Sequence, residues 1–163
     1  MKNLLVVLCV LLLAPVIGFG QEKDPAGQGY LYAAPGAAVS GGGSAGTLHF
    51  GGGGEFNFYK GVGVGAEIGY LSPTESMSSG VGVFSLNGLY SFKTDRRSKV
   101  VPFVTAGYSL LFRRGHLNAF NFGGGVNYWF SKKAGLRFEF KDYVRPKYLG
   151  SHIIEGRIGV NFH

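Results

Sequence analysis

GVGVGAEIGY, residues 61–70, alternates small residues with branched or aromatic ones and sets a carboxylate, Glu67, between Ala66 and Ile68. Successive side chains of a strand point to opposite faces. Val62, Val64, Ala66, Ile68 and Tyr70 therefore share one face, and Gly63, Gly65, Glu67 and Gly69 share the other. One face is greasy. The other is nearly bare of side chains except for an acid.

The pattern recurs along the chain. TLHFGGGGEFNF sets Leu48, Phe50, Phe56 and Phe58 against His49, Glu55, Asn57 and glycines. VFSLNGLYSF sets Phe84, Leu86, Tyr90 and Phe92 against Ser85, Asn87 and Ser91. FVTAGYSLLF, AFNFGGGVNYWF, LRFEFK and IEGRIGVNF repeat it, each with its apolar face on even numbers. GYLYAAPGA is the eighth segment, and its parity assigns Tyr30, Tyr32 and Ala34 to the outer face. Even parity throughout means that every connection preserves the face. Val83, Leu89, Leu111 and Trp129 fall on the polar face and Asp142 on the apolar one, and these read as strand ends or bulges. Most segments run roughly 9–11 residues, the length with which a tilted strand crosses a membrane. Glycine supplies 29 of 163 residues, which weakens any helical reading.

The bulk of each face decides which side is inside. An eight-stranded barrel has an interior just wide enough for side chains to fill. Five or six large apolar residues per strand would overfill it, whereas glycine, serine, asparagine and a few long polar residues fit. The apolar face then meets hydrocarbon, where backbone groups must be paired internally and the sheet must close. The expected fold is all-β: an eight-stranded antiparallel up-and-down transmembrane β-barrel. The reverse orientation, a secreted soluble β-barrel or sandwich binding a small apolar ligand, is the alternative from another class.

Pairing tests the lumen reading. Tyr59-Lys60-Gly61 reads as a three-residue hairpin loop with Gly61 free to take positive φ. Phe58 then pairs with Val62, which sets Glu67 opposite Gly53 and Glu55 opposite Gly65. In the last hairpin, one register opposes both Glu139 to Arg157 and Lys141 to Glu155. The expected lumen network is Glu55, Glu67, Arg137, Glu139, Lys141, Glu155 and Arg157, mutually neutralised because unpaired buried charge is costly.

The N-terminus, MKNLLVVLCVLLLAPVIGFG, reads as a secretory signal over residues 1–20. Its apolar run is too short for a spanning helix, and residues 21–163 form the barrel domain. The only cysteine, Cys9, lies within the signal, so the mature chain has no disulfide or cysteine metal site. The net charge of +7 is spread over turns rather than one patch, which argues against nucleic-acid binding.

GVGVGAEIGY, PFVTAGYSLLF, GLRFEFKDYVR and RIGVNF together resemble the small bacterial outer-membrane β-barrel domains typified by outer membrane proteins A and X. The resemblance covers roughly Gly29 to Phe162. It implies export through the Sec pathway, residence in the outer membrane of a Gram-negative envelope, and a monomer. It also implies a lumen ion-pair network and partners in outer-membrane lipid, lipopolysaccharide, periplasmic chaperones and the barrel-assembly machinery. In that family the last strand ends in an aromatic read as an insertion signal. Here that residue is Phe162, followed by His163. Family topology puts both termini in the periplasm, with PGAAVSGGGSAG, SPTESMSSG, RRGH and VRPKYLGSH outside and YKG, KTDRRSK and SKKAG as periplasmic turns. Arg113, Arg114, Arg145 and Lys147 then sit in outer loops as candidates for lipopolysaccharide phosphates.

Other constellations are weaker. The glycine runs lead into alternating strands, not the helix start a phosphate cradle needs. Ser151, His152 and Glu155 are close in sequence, but His152 and Glu155 have opposite parity. His49 and His116 read as isolated, and no tight histidine pair marks a metal site. The expected role is structural, adhesive or for envelope integrity, with no enzymatic activity and no cofactor. A narrow gated pore remains a further alternative.

Overall fold

The computed structural model describes residues 27–92, 98–113, 115–145 and 151–163. The signal sequence lies outside them. Eight strands follow one another: β1 (Gly27–Ser40), β2 (Gly43–Tyr59), β3 (Val62–Pro73), β4 (Val81–Ser91), β5 (Val100–Phe112), β6 (His116–Trp129), β7 (Ala134–Val144) and β8 (His152–Phe162). Each pairs with the next, and β8 pairs back onto β1, so the barrel is closed and antiparallel throughout. Closure leaves the wall without a free edge along its length.

The outer surface is apolar. Ile68 is 60% exposed while its neighbour Glu67 is 3% exposed. Phe56, Phe58, Phe120, Phe138, Phe140 and Ile158 are likewise outward. The expected fold class and orientation are therefore present.

Strands β4, β7 and β8 are 11 residues long, as expected, and the others are longer, up to 17 in β2. The excess is concentrated in the first hairpin. PGAAVSGGGSAG, read as an outer loop, is instead paired strand up to a turn at Gly41 and Gly42. β2 continues past its last pair with β3, Thr47 with Pro73.

Parity also departs from expectation in one strand. Tyr30, Tyr32 and Ala34 are buried in the lumen, and Leu31 faces out. The cause is the Gly41–Gly42 turn. Ser40 pairs with Gly43 across two residues, and an even-numbered connection exchanges odd for even. The β2–β3 turn is also two residues, Lys60 and Gly61, not three. Both have positive φ, 43° and 91°, as a tight mirror-image hairpin turn requires. Here a register shift between Asn57 and Tyr59 inserts one extra residue and restores parity. Beyond that bulge the expected register holds, with Glu67 opposite Gly53 and Glu55 opposite Gly65.

Val83, Leu89 and Leu111 lie near strand ends, as expected, and none is at a bulge. They lie in unbroken register and point inward. Val83 and Leu111 join Leu71, Ala119, Tyr143 and Ile153 in one buried apolar cluster. All six sit near the strand ends opposite the termini, so they form a layer across that mouth of the lumen. Trp129 is the last residue of β6, as expected of a strand end. Asp142 is on the outward face in regular register, paired with Phe122 and Ile154, with no bulge.

Candidate functional site

Below the apolar layer the lumen is charged. β2 contributes His49 and Glu55, β3 Glu67, β7 Arg137, Glu139 and Lys141, and β8 Glu155 and Arg157, all buried. Strand alternation brings the three β7 residues to one face at every second position. The register of β7 with β8 opposes Glu139 to Arg157 and Lys141 to Glu155.

Glu67 is the hub. Its Oε1 accepts from Lys141 Nζ at 2.8 Å. Its Oε2 accepts from Arg157 Nη1 at 2.9 Å and from the Tyr30 hydroxyl at 2.9 Å. Arg157 Nη2 reaches Glu67 Oε1 at 3.3 Å, completing a two-pronged pairing. The same guanidinium donates from Nε to Glu155 Oε1 at 2.5 Å and from Nη2 to the Tyr143 hydroxyl. Toward the termini, Arg137 pairs with Glu55 at 2.8 Å and with Glu139 at 3.1 Å. Both guanidiniums stack on aromatics. Arg137 lies 4.0 Å from the Phe103 ring centroid and 4.4 Å from that of Tyr30, and Arg157 lies 4.1 Å from that of Tyr32.

Glycine makes this crowding possible. A Cβ on Gly53 would lie 2.7 Å from the Tyr30 hydroxyl that serves Glu67. The inward glycine on β2 is thus the space into which the β1 tyrosine reaches.

The structure brings all seven sequence-derived network residues together, but with partners that the hairpin register does not reveal. Lys141 bonds to Glu67 across the lumen. Arg157 is closer to Glu155 and Glu67 than to Glu139, which is 3.7 Å away. His49 is a member of the network, not an isolated residue. Its Nδ1 lies 3.0 Å from Glu155 Oε2 and its Nε2 3.0 Å from the Tyr32 hydroxyl. Four carboxylates thus meet three permanent cations and one histidine. Tyr30, Tyr32, Tyr143 and Gln28, which donates to Glu55 at 2.5 Å, are further members missed in the sequence. Their inward parity is the signal, and in β1 it was inverted.

Ser151, His152 and Glu155 are kept apart. Ser151 is buried and accepts from Arg145 Nη2 at 2.6 Å. Glu155 faces the lumen, whereas His152 faces outward, 2.9 Å from Asp142. The arrangement does not assemble a nucleophile, base and orienting acid. Among the described residues no group of three or more His, Cys, Asp and Glu could hold a metal ion. Of the rim cations, Arg113 donates to the carbonyls of Ser78 and Ser79 at 2.9 and 3.0 Å. Arg114 and Lys147 lie outside the described residues. Phe162 ends β8 on the outward face, and His163 stacks on Trp129 at 4.1 Å.

No protein-family model matches the sequence, and no curated protein matches it. Solved structures do. Neisserial surface protein A has a TM-score of 0.69 at 17% identity, with 86% of this chain and 99% of that one covered. Ail, the attachment invasion locus protein of Yersinia pestis, has a TM-score of 0.56 at 10% identity, with 83% and 96% covered. The outer membrane enzyme PagL has a TM-score of 0.53 at 15% identity, with 82% and 99% covered. The likeness is one of fold. One of the three is an enzyme, so the fold by itself does not assign an activity.

Proposed function

We propose that the chain is an integral protein of the bacterial outer membrane, monomeric, closed to ions and without enzymatic activity, with a structural, adhesive or envelope-integrity role. The observation that carries this reading is the belt of outward Phe, Ile, Val and Leu side chains around a closed sheet. A soluble protein rarely exposes a contiguous apolar patch larger than a few hundred Å², which counts against the secreted apolar-ligand binder. The filled lumen counts against a standing pore: a charged layer and an apolar layer both cross it.

The test is membrane fractionation followed by a gel with boiled and unboiled samples. The barrel is expected in the membrane fraction and to migrate differently after boiling; recovery in the aqueous phase would end the proposal. Planar-bilayer recording addresses conduction, with no channel events expected from the parent protein. Phe162 at the end of β8 supports recognition by the assembly machinery after Sec export. Phe162→Ala is expected to lower the inserted fraction in cells. Arg113 and Arg145, with Arg114 and Lys147, form the proposed basic rim for lipopolysaccharide phosphates. Removing both Arg113 and Arg114 is expected to weaken membrane retention.

A further inference from the structure

We infer that Met77 is a site of stereoselective, reversible oxidation by hydroperoxides at the rim opposite the termini, and that Ser72 selects which sulfoxide epimer forms. The inference asks only for the fold and goes beyond the functional reading above.

Met1 and Cys9 fall in the stretch read as the secretory signal, so Met77 is the one sulfur-bearing residue in residues 21–163. It opens a single 3₁₀ turn, Met77–Ser79, in the connection between β3 and β4. The turn folds back over the outside of the wall. Ile68, Tyr70 and Ser72 share the outward face of β3, yet Ile68 is 60% exposed and Ser72 only 1%. Met77 lies over Ser72, whose hydroxyl donates to the Met77 Sδ at 3.1 Å. The main chain of the same residue is held as well. The Tyr70 hydroxyl donates to the Met77 carbonyl at 2.6 Å, and a Cβ on Gly80 would run into the Tyr70 ring. Arg113, just past β5, ties the carbonyls of Ser78 and Ser79.

A methionine side chain is flexible and ordinarily presents its sulfur in many orientations. Here it is tied at both ends, its backbone by Tyr70 and its sulfur by Ser72, while the residue stays 46% exposed. The turn thus holds an oxidisable atom in one orientation at an open surface.

The orientation decides the product. A thioether sulfur has two lone pairs, and oxidation through one or the other gives one or the other sulfoxide epimer. The Ser72 hydroxyl occupies one of them. The open lone pair attacks the terminal oxygen of a hydroperoxide. The S–O bond forms as the O–O bond breaks, and sulfur gives up two electrons. The leaving alkoxide takes the hydroperoxide's proton and departs as the alcohol, or as water when the oxidant is hydrogen peroxide. The new oxygen points away from Ser72. Attack through the other lone pair first has to break the Ser72 bond. The net worth of one ordinary hydrogen bond corresponds to a preference of about fivefold. Each sulfoxide epimer has its own reductase, so a single-epimer product is reversed by one reductase and ignored by the other.

The experiment uses residues 21–163 refolded in detergent and treated with limiting hydrogen peroxide. The peptide carrying Met77 is isolated, its sulfoxide epimers are resolved by liquid chromatography and mass spectrometry, and it is then offered to each methionine sulfoxide reductase in turn. The folded parent is expected to gain one oxygen on Met77, with one epimer in at least about fivefold excess and only one reductase removing most of it. Met77→Leu is expected to gain no oxygen in that peptide. Ser72→Ala and the parent unfolded in urea are each expected to gain the oxygen with the epimers close to equal. Equal epimers from the folded parent overturn the inference. The same excess in Ser72→Ala and the parent overturns the part given to Ser72. A folded parent that takes up no oxygen before it is unfolded overturns the site.

Discussion

Two layers cross the lumen, built by opposite means. In the charged layer, Glu67 holds Lys141 and Arg157 at 2.8 and 2.9 Å. In the layer toward the far mouth, Leu71, Val83, Leu111, Ala119, Tyr143 and Ile153 pack into one buried apolar cluster. The two differ in what they ask of each residue. Apolar side chains need only volume, and each contributes roughly 1.5–3 kcal/mol on full burial. Ion pairs need every partner in place, because a complete buried pair is nearly neutral in stability, whereas a broken one costs about 3–5 kcal/mol. The charged layer is therefore the more fragile, and the apolar layer the more forgiving. Tyr143 belongs to both, with its ring in the apolar cluster and its hydroxyl on Arg157.

That contrast can be broken most directly at Arg157. Arg157→Glu would place a fourth carboxylate among Glu67, Glu155 and Glu139, and a loss of at least about 3–5 kcal/mol is expected. The urea midpoint of the refolded barrel in micelles measures it, and an unchanged midpoint would show that the network is not neutralised as the distances suggest. Leu111→Ala tests the other layer, with an expected loss of about 2–4 kcal/mol from the cavity. If it cost more than the charge reversal, the ranking of the two layers would be inverted. Gly53→Ala sharpens the comparison within the charged layer. Its methyl would meet the Ala66 carbonyl oxygen at 2.6 Å and the Tyr30 hydroxyl at 2.7 Å, crowding the wall and disturbing one donor to Glu67, for an expected loss of about 1–3 kcal/mol. The smallest effect is expected at the rim. Arg113→Ala removes two bonds to exposed carbonyls, and thermal unfolding should shift by less than about 1 kcal/mol equivalent.

The two layers were also unequally legible in the sequence. The charged residues announced themselves, because an acid such as Glu67 between Ala66 and Ile68 has to be accounted for. The hairpin register followed from neighbouring strands, as Glu139 opposite Arg157 shows. What could not be read was contact across the lumen. Lys141 and Glu67 are 74 residues apart, and His49 and Glu155 are 106 apart. Only the closed circle brings them together. The apolar layer was hidden for the same reason: Val83 and Leu111 each looked like an exception in their own strand, and the rule they obey is visible only around the ring. β1 was misread because both its faces carry large side chains. The even positions carry Tyr30 and Tyr32 against a single Leu31 on the odd ones, so bulk pointed to the wrong face. The tyrosine hydroxyls, which need partners when buried, found them in Glu67 and His49.

The turn at Gly41 and Gly42 behaves as a phase setting for everything before it. Removing one of these residues without a compensating bulge would rotate β1 by half a pleat, placing Tyr30 and Tyr32 on the outer face and turning Leu31 toward the acids. Removing both would leave each side chain where it was. Length variation at this hairpin tip is therefore expected to survive selection for folding in even steps, or in odd steps only where a bulge such as that between Asn57 and Tyr59 takes up the extra residue.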